Sequence, residues 1–146
     1  MHGILNRWRA ANVIETVLLV DGDPAARQPM KFILELNGYR VVEAWHGIEG
    51  LQALNEWGDE IQIALCAPDL PDMSGPEWMS QRRFLCPETP ALLLSEADVR
   101  DASELPLHPV QDRISPKPPA PARLLARIRR VLDERFFEHC ERAPAA

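Results

Sequence analysis

The chain has 146 residues, 46% of them apolar and 26% charged, and a net charge of −6. That length suits one domain with its own core, and the acidic balance argues against a nucleic-acid surface, which would be basic. No apolar run nears the roughly 18 residues that a membrane span needs, no apolar core follows Arg7 and Arg9 to make a secretory signal, and three cysteines (Cys66, Cys86, Cys140) at no metal spacing predict reduced thiols in a cytoplasmic protein.

In chain order, residues 1–15 form an arm, 16–139 the domain and 140–146 a tail. Ile4, Leu5 and Trp8 share one helical face of the arm; a lightly docked arm and a homodimerisation element both fit them. The first strand, Thr16–Val20 (TVLLV), ends in the acidic turn Asp21-Gly22-Asp23-Pro24. Asp23 is placed to cap a helix whose first residue is Pro24. That helix runs through Phe32, Ile33 and Leu36 and stops at Asn37-Gly38. Pro29 inside it removes one backbone bond, which predicts a kink or a delayed start.

Tyr39–Ala44 is the second strand, and Gly47–Trp57 a helix with Ile48, Leu51 and Leu54 inward. Ile61–Ala67 is a buried third strand running into Pro71-Asp72-Met73-Ser74-Gly75. Pro76–Leu85 is the third helix and Ala91–Ser95 the fourth strand. Residues 98–104 allow two helical turns before Pro106 and Pro109 forbid continuation. Half of the 14 prolines fall between residues 90 and 121, so that part of the fold is expected to be irregular. Gln111–Ser115 is the fifth strand and leads into Lys117-Pro118. In the last helix, Pro121–His139, Leu124, Leu125, Ile128, Val131 and Leu132 recur at helical spacing, with Arg123, Arg127, Arg130 and Arg135 towards solvent. In an acidic chain that arginine run reads as a solvated face.

Five apolar strands alternating with helices predict an α/β domain with a doubly wound, five-stranded parallel sheet. In such a sheet the site lies at the carboxyl ends of the strands, where strand order reverses. Asp21, Ala67, Ser95 and Lys117 stand at those ends.

VLLVDGDPAAR after the arm, LPDMSG in the middle and KP near the end resemble the receiver domain of two-component response regulators, the CheY-like (flavodoxin-like) fold, over about residues 15–138. The spacing matches: 46 residues from Asp21 to Ala67, 28 to Ser95 and 22 to Lys117. The resemblance implies strand order 2-1-3-4-5, here with the fourth helix shortened by the two prolines. It also implies a phosphoacceptor aspartate at the end of strand three, four residues before the proline of the LPxMxG run. That position is Ala67. Of the two adjacent acids that hold Mg²⁺ in the family, one is Asp21 and the other falls on Gly22. Ser95 matches the hydroxyl that follows the phosphoryl group, Lys117 the lysine of the site, and Ile114 the aromatic switch position.

These departures imply a pseudo-receiver with the Mg²⁺ site lost and no cofactor. It is expected to be a non-enzymatic interaction module whose partner is a histidine kinase, a phosphotransfer protein or another regulator, with no nucleic acid or membrane. The alternative is a stand-alone regulator that takes a phosphoryl group on a non-standard acceptor, for which Asp69 and Asp72 are the nearest acids. Asp23 points away if it caps the helix, and His46 and His108 are loop residues without metal-site partners. In the emptied pocket Asp21 is expected to pair with Lys117, because an ammonium held there alone is costly.

Overall fold

The structure, a computed structural model, describes residues 14–95, 112–116 and 121–142. The arm of residues 1–13 and the 96–111 segment, which holds the expected shortened helix and its two prolines, lie outside the described residues.

Strand β1, Thr16–Val20, is buried along its whole length. Val17 and Leu19 face one apolar cluster, Leu18 and Val20 another. A strand that is apolar on both faces belongs at the centre of a parallel sheet covered on both sides. β1 pairs with β2 (Arg40–Ala44) and with β3 (Ile63–Cys66), β3 with β4 (Ala91–Ser95), and β4 with β5 (Asp112–Pro116), all parallel. The sheet order is β2-β1-β3-β4-β5, the order that the resemblance implies. Val20 lies beside Cys66 and Cys66 beside Leu93, so the carboxyl ends of the central strands finish level.

Helix α1, Pro24–Leu36, and the C-terminal helix, Pro121–Arg142, cover one face; Met30, Leu34, Leu124 and Ile128 meet Leu19, Leu65 and Leu92 there. Helices α2, Gly47–Trp57, and α3, Gly75–Leu85, cover the other; Leu54, Trp78 and Met79 meet Leu18, Val20 and Leu93. No helix among the described residues is long and apolar enough to cross a membrane.

Several elements differ from the sequence reading. α1 starts at Pro24 despite Pro29, with no delay. The one intrahelical bond that Pro29 cannot donate would go to Ala25, whose exposed position lets water take that carbonyl. β3 is shorter than expected, two residues at its start and one at its end; a 3₁₀ turn, Gly58–Glu60, precedes it, closed by Ile61 N–H donating to the Gly58 carbonyl (3.3 Å). Ile48 points out rather than in, at 52% exposure; Gly47, Gly50 and Leu54 take the inner face of α2. Arg135 does not face solvent freely: it donates to the Gln62 carbonyl at the base of β3 (2.9 Å).

The inner face of α2 carries a glycine at position 50 where α3 comes close. A Cβ on Gly50 would stand 2.9 Å from Trp78 Nε1 and 2.9 Å from Val20 Cγ2. Trp78 is fully buried, and its indole N–H donates to the Gly47 carbonyl (3.0 Å). One side chain thus fixes α3, α2 and the end of β1 together. Trp78→Ala is expected to lower stability by about 3–5 kcal/mol, the usual cost of emptying an aromatic core site. Urea unfolding followed by circular dichroism measures it, and a loss below about 1 kcal/mol would place the junction elsewhere.

Candidate functional site

The chain leaves β1 at Asp21, whose N–H donates to the Ala44 carbonyl (3.0 Å) and so follows the end of β2. The Asp21 carboxylate is 1% exposed and accepts the Asp23 N–H (3.0 Å). Asp23 itself caps α1, accepting from Ala25 N–H (3.0 Å), so its carboxylate is committed to the helix rather than to the pocket.

Beneath this turn lies a buried guanidinium. Arg27 Nη1 donates to the Asp21 carbonyl (2.8 Å), its Nε donates to Glu43 (3.0 Å), and its carbon centre lies 4.7 Å from the centroid of the Trp45 ring. Lys31 shares Glu43 (3.0 Å). Burial pushes the Glu43 carboxyl up, but the hydrogen bonds from Lys31 and Arg27 outweigh it and hold the group below its usual range. The first turns of α1 are therefore tied both to the end of β1 and to edge strand β2.

Gly22 comes next. A Cβ there would stand 2.8 Å from Pro71 Cδ and 2.9 Å from the Trp45 carbonyl oxygen. No side chain enters without displacing the Pro68–Gly75 loop or the Trp45 backbone. Across from it, Ala67 continues β3 by one bond, its N–H donating to the Val20 carbonyl (2.9 Å). Ala67 is fully buried, and the Cys66 thiol donates to its carbonyl (3.3 Å). A side chain on Gly75 would collide with that same carbonyl. Ser95 and Pro116 pair at the ends of β4 and β5, and Ile114 pairs with Leu93 two residues earlier. The register thus brings Asp21, Ala67 and Ser95 to one end of the sheet. Lys117 follows Pro116 in sequence but lies outside the described residues, as does His108, so the expected Asp21–Lys117 pair lies outside them too.

The loop from Pro68 to Gly75 is closed on itself by Gly75 N–H to the Pro68 carbonyl (2.7 Å) and Leu70 N–H to the Met73 carbonyl (3.0 Å). Asp69 is exposed and bridges to Ser74, whose hydroxyl caps α3 by accepting from Glu77 N–H (3.1 Å). Asp72 accepts two backbone N–H groups at the start of α2, from Gly47 (2.7 Å) and Ile48 (2.9 Å). His46, expected as a bare loop residue, is the N-cap of α2: its Nδ1 accepts from Glu49 N–H (3.2 Å). Among the described residues no group of three or more His, Cys, Asp or Glu is placed to hold a metal ion.

Sequence reasoning missed Arg27, Trp45 and the capping role of Asp72. Arg27 stands one turn after Asp23, so its reach to the β1 end was open to inspection. The Asp72 contact spans 25 residues and no local pattern announces it.

Partial burial pushes the Asp72 carboxyl up, but the N–H groups of Gly47 and Ile48 outweigh it and hold it below its ordinary 3.8. A lowered carboxyl stabilises the fold above its unfolded value, and that contribution fades as pH falls through the folded one. Asp72→Ala is therefore expected to cost about 1 kcal/mol near pH 7, the usual worth of a helix cap. The difference from the parent should shrink below about pH 3.8. Thermal unfolding of both proteins between pH 7 and 3 tests this, and a gap that stays constant with pH excludes the charged cap.

Three comparisons bear on this arrangement. The family model described as "Response regulator receiver domain" matches residues 17–129. Among curated proteins, the response regulator MprA of Mycobacterium ulcerans is 32% identical over 127 residues, covering 87% of this chain and 54% of that protein. The sensor kinase CckA of Brucella abortus is 34% identical over 80 residues, covering 55% of this chain and 8% of that protein. The chain thus spans about half the length of the matched regulator and a small part of the kinase. Among solved structures, a CheY-like receiver domain protein from Methanospirillum hungatei superposes with a TM-score of 0.72 at 30% identity, covering 86% of this chain and 98% of the other.

Proposed function

The chain belongs to the response regulator receiver domain family, and we propose that it works there as an atypical receiver, a protein-interaction module of two-component signalling that does not depend on phosphorylation. The observation that carries this reading is the pair of substitutions at the strand ends. Ala67 puts a buried methyl where the family resemblance calls for the acceptor carboxylate. Gly22 sits in a space that Pro71 and the Trp45 carbonyl have filled.

The residues present do not fit Mg²⁺. That ion takes near-octahedral oxygen ligands, usually with carboxylates among them. Of the three carboxylates that the resemblance calls for, Asp21 alone stands in this pocket. Asp23 and Asp72 are used as helix caps, and Asp69 is exposed.

The partner that best suits this reading is a histidine kinase, a phosphotransfer protein or another regulator. Asp21 and Lys117 form the fixed charge pair of the emptied pocket in this proposal, standing in for metal and phosphoryl group and holding one conformation.

Two measurements test it. Intact mass after incubation with acetyl phosphate or beryllofluoride and Mg²⁺ is expected to be unchanged, and calorimetry should find no saturable Mg²⁺ site with Kd below about 1 mM. A phosphoryl adduct mapped to Asp69 or Asp72 would establish the alternative, a regulator with a non-standard acceptor. For the charge pair, Asp21→Ala is expected to cost ~3–5 kcal/mol, as when one partner of a buried pair is removed. Adding Lys117→Met should then recover much of it. If both single variants melt like the parent, the locked pocket is excluded.

A further inference from the structure

At the end of the sheet opposite Asp21 and Ala67, the last turns of α2 and α3 leave a groove of about 280 Å³. Its apolar side is Trp57, Leu85 and Cys86; Trp57 is 47% and Leu85 42% exposed. Phe84, next to it on α3, is 89% exposed. Its polar side carries Glu56, Asp59 and Glu60, and among the described residues no Lys or Arg lines it. A surface of this kind suits a segment with apolar side chains and positive charge.

The chain itself supplies one. Residues 1–14 contain no acid; they carry Arg7 and Arg9 beside Ile4, Leu5 and Trp8. The chain that follows them enters the sheet next to the groove, at Thr16. Thr16 N–H donates to Gln62 Oε1 (2.6 Å) and Gln62 N–H donates back to the Thr16 carbonyl (3.0 Å), two residues after Glu60. Thirteen residues reach well beyond that gap at up to about 3.3 Å each. We propose that residues 1–13 dock in this groove on their own chain, with Trp8 against Trp57 and Leu85 and with Arg7 and Arg9 against Glu56, Asp59 and Glu60.

The same chain is favoured over a second copy for two reasons. A short tether gives an effective concentration in the millimolar range. A groove of this size is also small beside the roughly 1,200 Å² that a stable protein–protein interface buries. Docking would cover exposed apolar surface at the end of the domain remote from the strand-end pocket. A partner that binds this surface would have to displace the arm, which makes it a second interaction surface independent of the pocket and of any phosphorylation.

Cys86 at the groove reports occupancy. It is half-buried, whereas Cys66 is fully buried. The experiment uses the full chain carrying Cys140→Ser, with maleimide labelling of Cys86 timed by peptide mass and folding checked by circular dichroism. Charge reversal of the arm (Arg7→Glu with Arg9→Glu) is expected to speed labelling about five-fold, the factor for two lost weak ion pairs. Adding Asp59→Lys and Glu60→Lys should restore slow labelling, which a merely unfolded or loosened variant would not do. An unchanged rate on arm reversal, failure of the second reversal to restore it, or protection that grows with protein concentration, which would assign the groove to a second copy, overturns the proposal.

Discussion

The functional end of this domain is built around the close approach of one loop. Pro68–Gly75 lies over the ends of β1 and β3 because glycines leave room for it on three sides: Gly22 beneath Pro71, Gly47 beneath Met73 and Gly75 against the Ala67 carbonyl. Each is a place where a Cβ would need the volume that the loop occupies. The loop is then held by polar contacts that do not depend on a ligand, its own two backbone bonds and the Asp72 carboxylate on the first N–H groups of α2. An N-terminal helix end offers unsatisfied donors and a positive dipole end, so a carboxylate is well placed there. The result joins β3, α3 and α2 into one unit at the strand ends.

A second unit stands beside it on the other face. Arg27 is buried and is held on three sides: one nitrogen on the Asp21 carbonyl, one on Glu43, and its face near Trp45. At the opposite end of the sheet Arg129 clamps Glu15 with two bonds of 2.8 Å and donates to the Tyr39 hydroxyl (3.2 Å). That contact ties the C-terminal helix to the entry of β1. Hydrogen bonds between such charged groups are shorter and stronger than neutral ones, and the forked geometry of arginine suits both places. The sheet is therefore pinned at both ends on one face by guanidinium groups and at one end on the other face by a loop.

Much of the architecture was legible in the sequence because its elements are amphipathic or apolar at clear periods. TVLLV and ALLLS could only be buried strands, and Asp23-Pro24 and Asn37-Gly38 bracket α1 as observed. Gly38 takes φ of +89°, which is why the helix stops there. The errors fall where a tertiary contact overrides a local pattern. Ile48 follows a helical period but yields the inner face to Gly47 and Gly50, since Met73 leaves no room for a side chain at the first and Trp78 and Val20 none at the second. The third strand begins at Ile63, three residues after a 3₁₀ turn at Gly58–Glu60 that no periodicity announces. The strand-end placement of Asp21, Ala67 and Ser95 was readable from spacing alone, but the filling of the space above Gly22 was not. Nothing local tells that Pro71 and the Trp45 carbonyl meet there.

The two departures at the strand ends bear on each other physically. Carboxylates crowded at one site repel, and each is tolerated mainly because a cation holds them together. Once position 67 is an apolar methyl, an acid at position 22 would face Asp21 with one ligand fewer for any cation, so its main effect would be repulsion and desolvation. A glycine carries no such cost, and the space a Cβ would need there is filled by Pro71 and the Trp45 carbonyl. In the proposed reading, a single acid at either position therefore meets surroundings that do not suit it. At position 67 it would be a buried carboxylate short of metal ligands, and at position 22 a side chain in conflict with Pro71. A side chain at position 22 is therefore accommodated only by a shift of the Pro68–Gly75 loop or of the Trp45 backbone, whatever its charge.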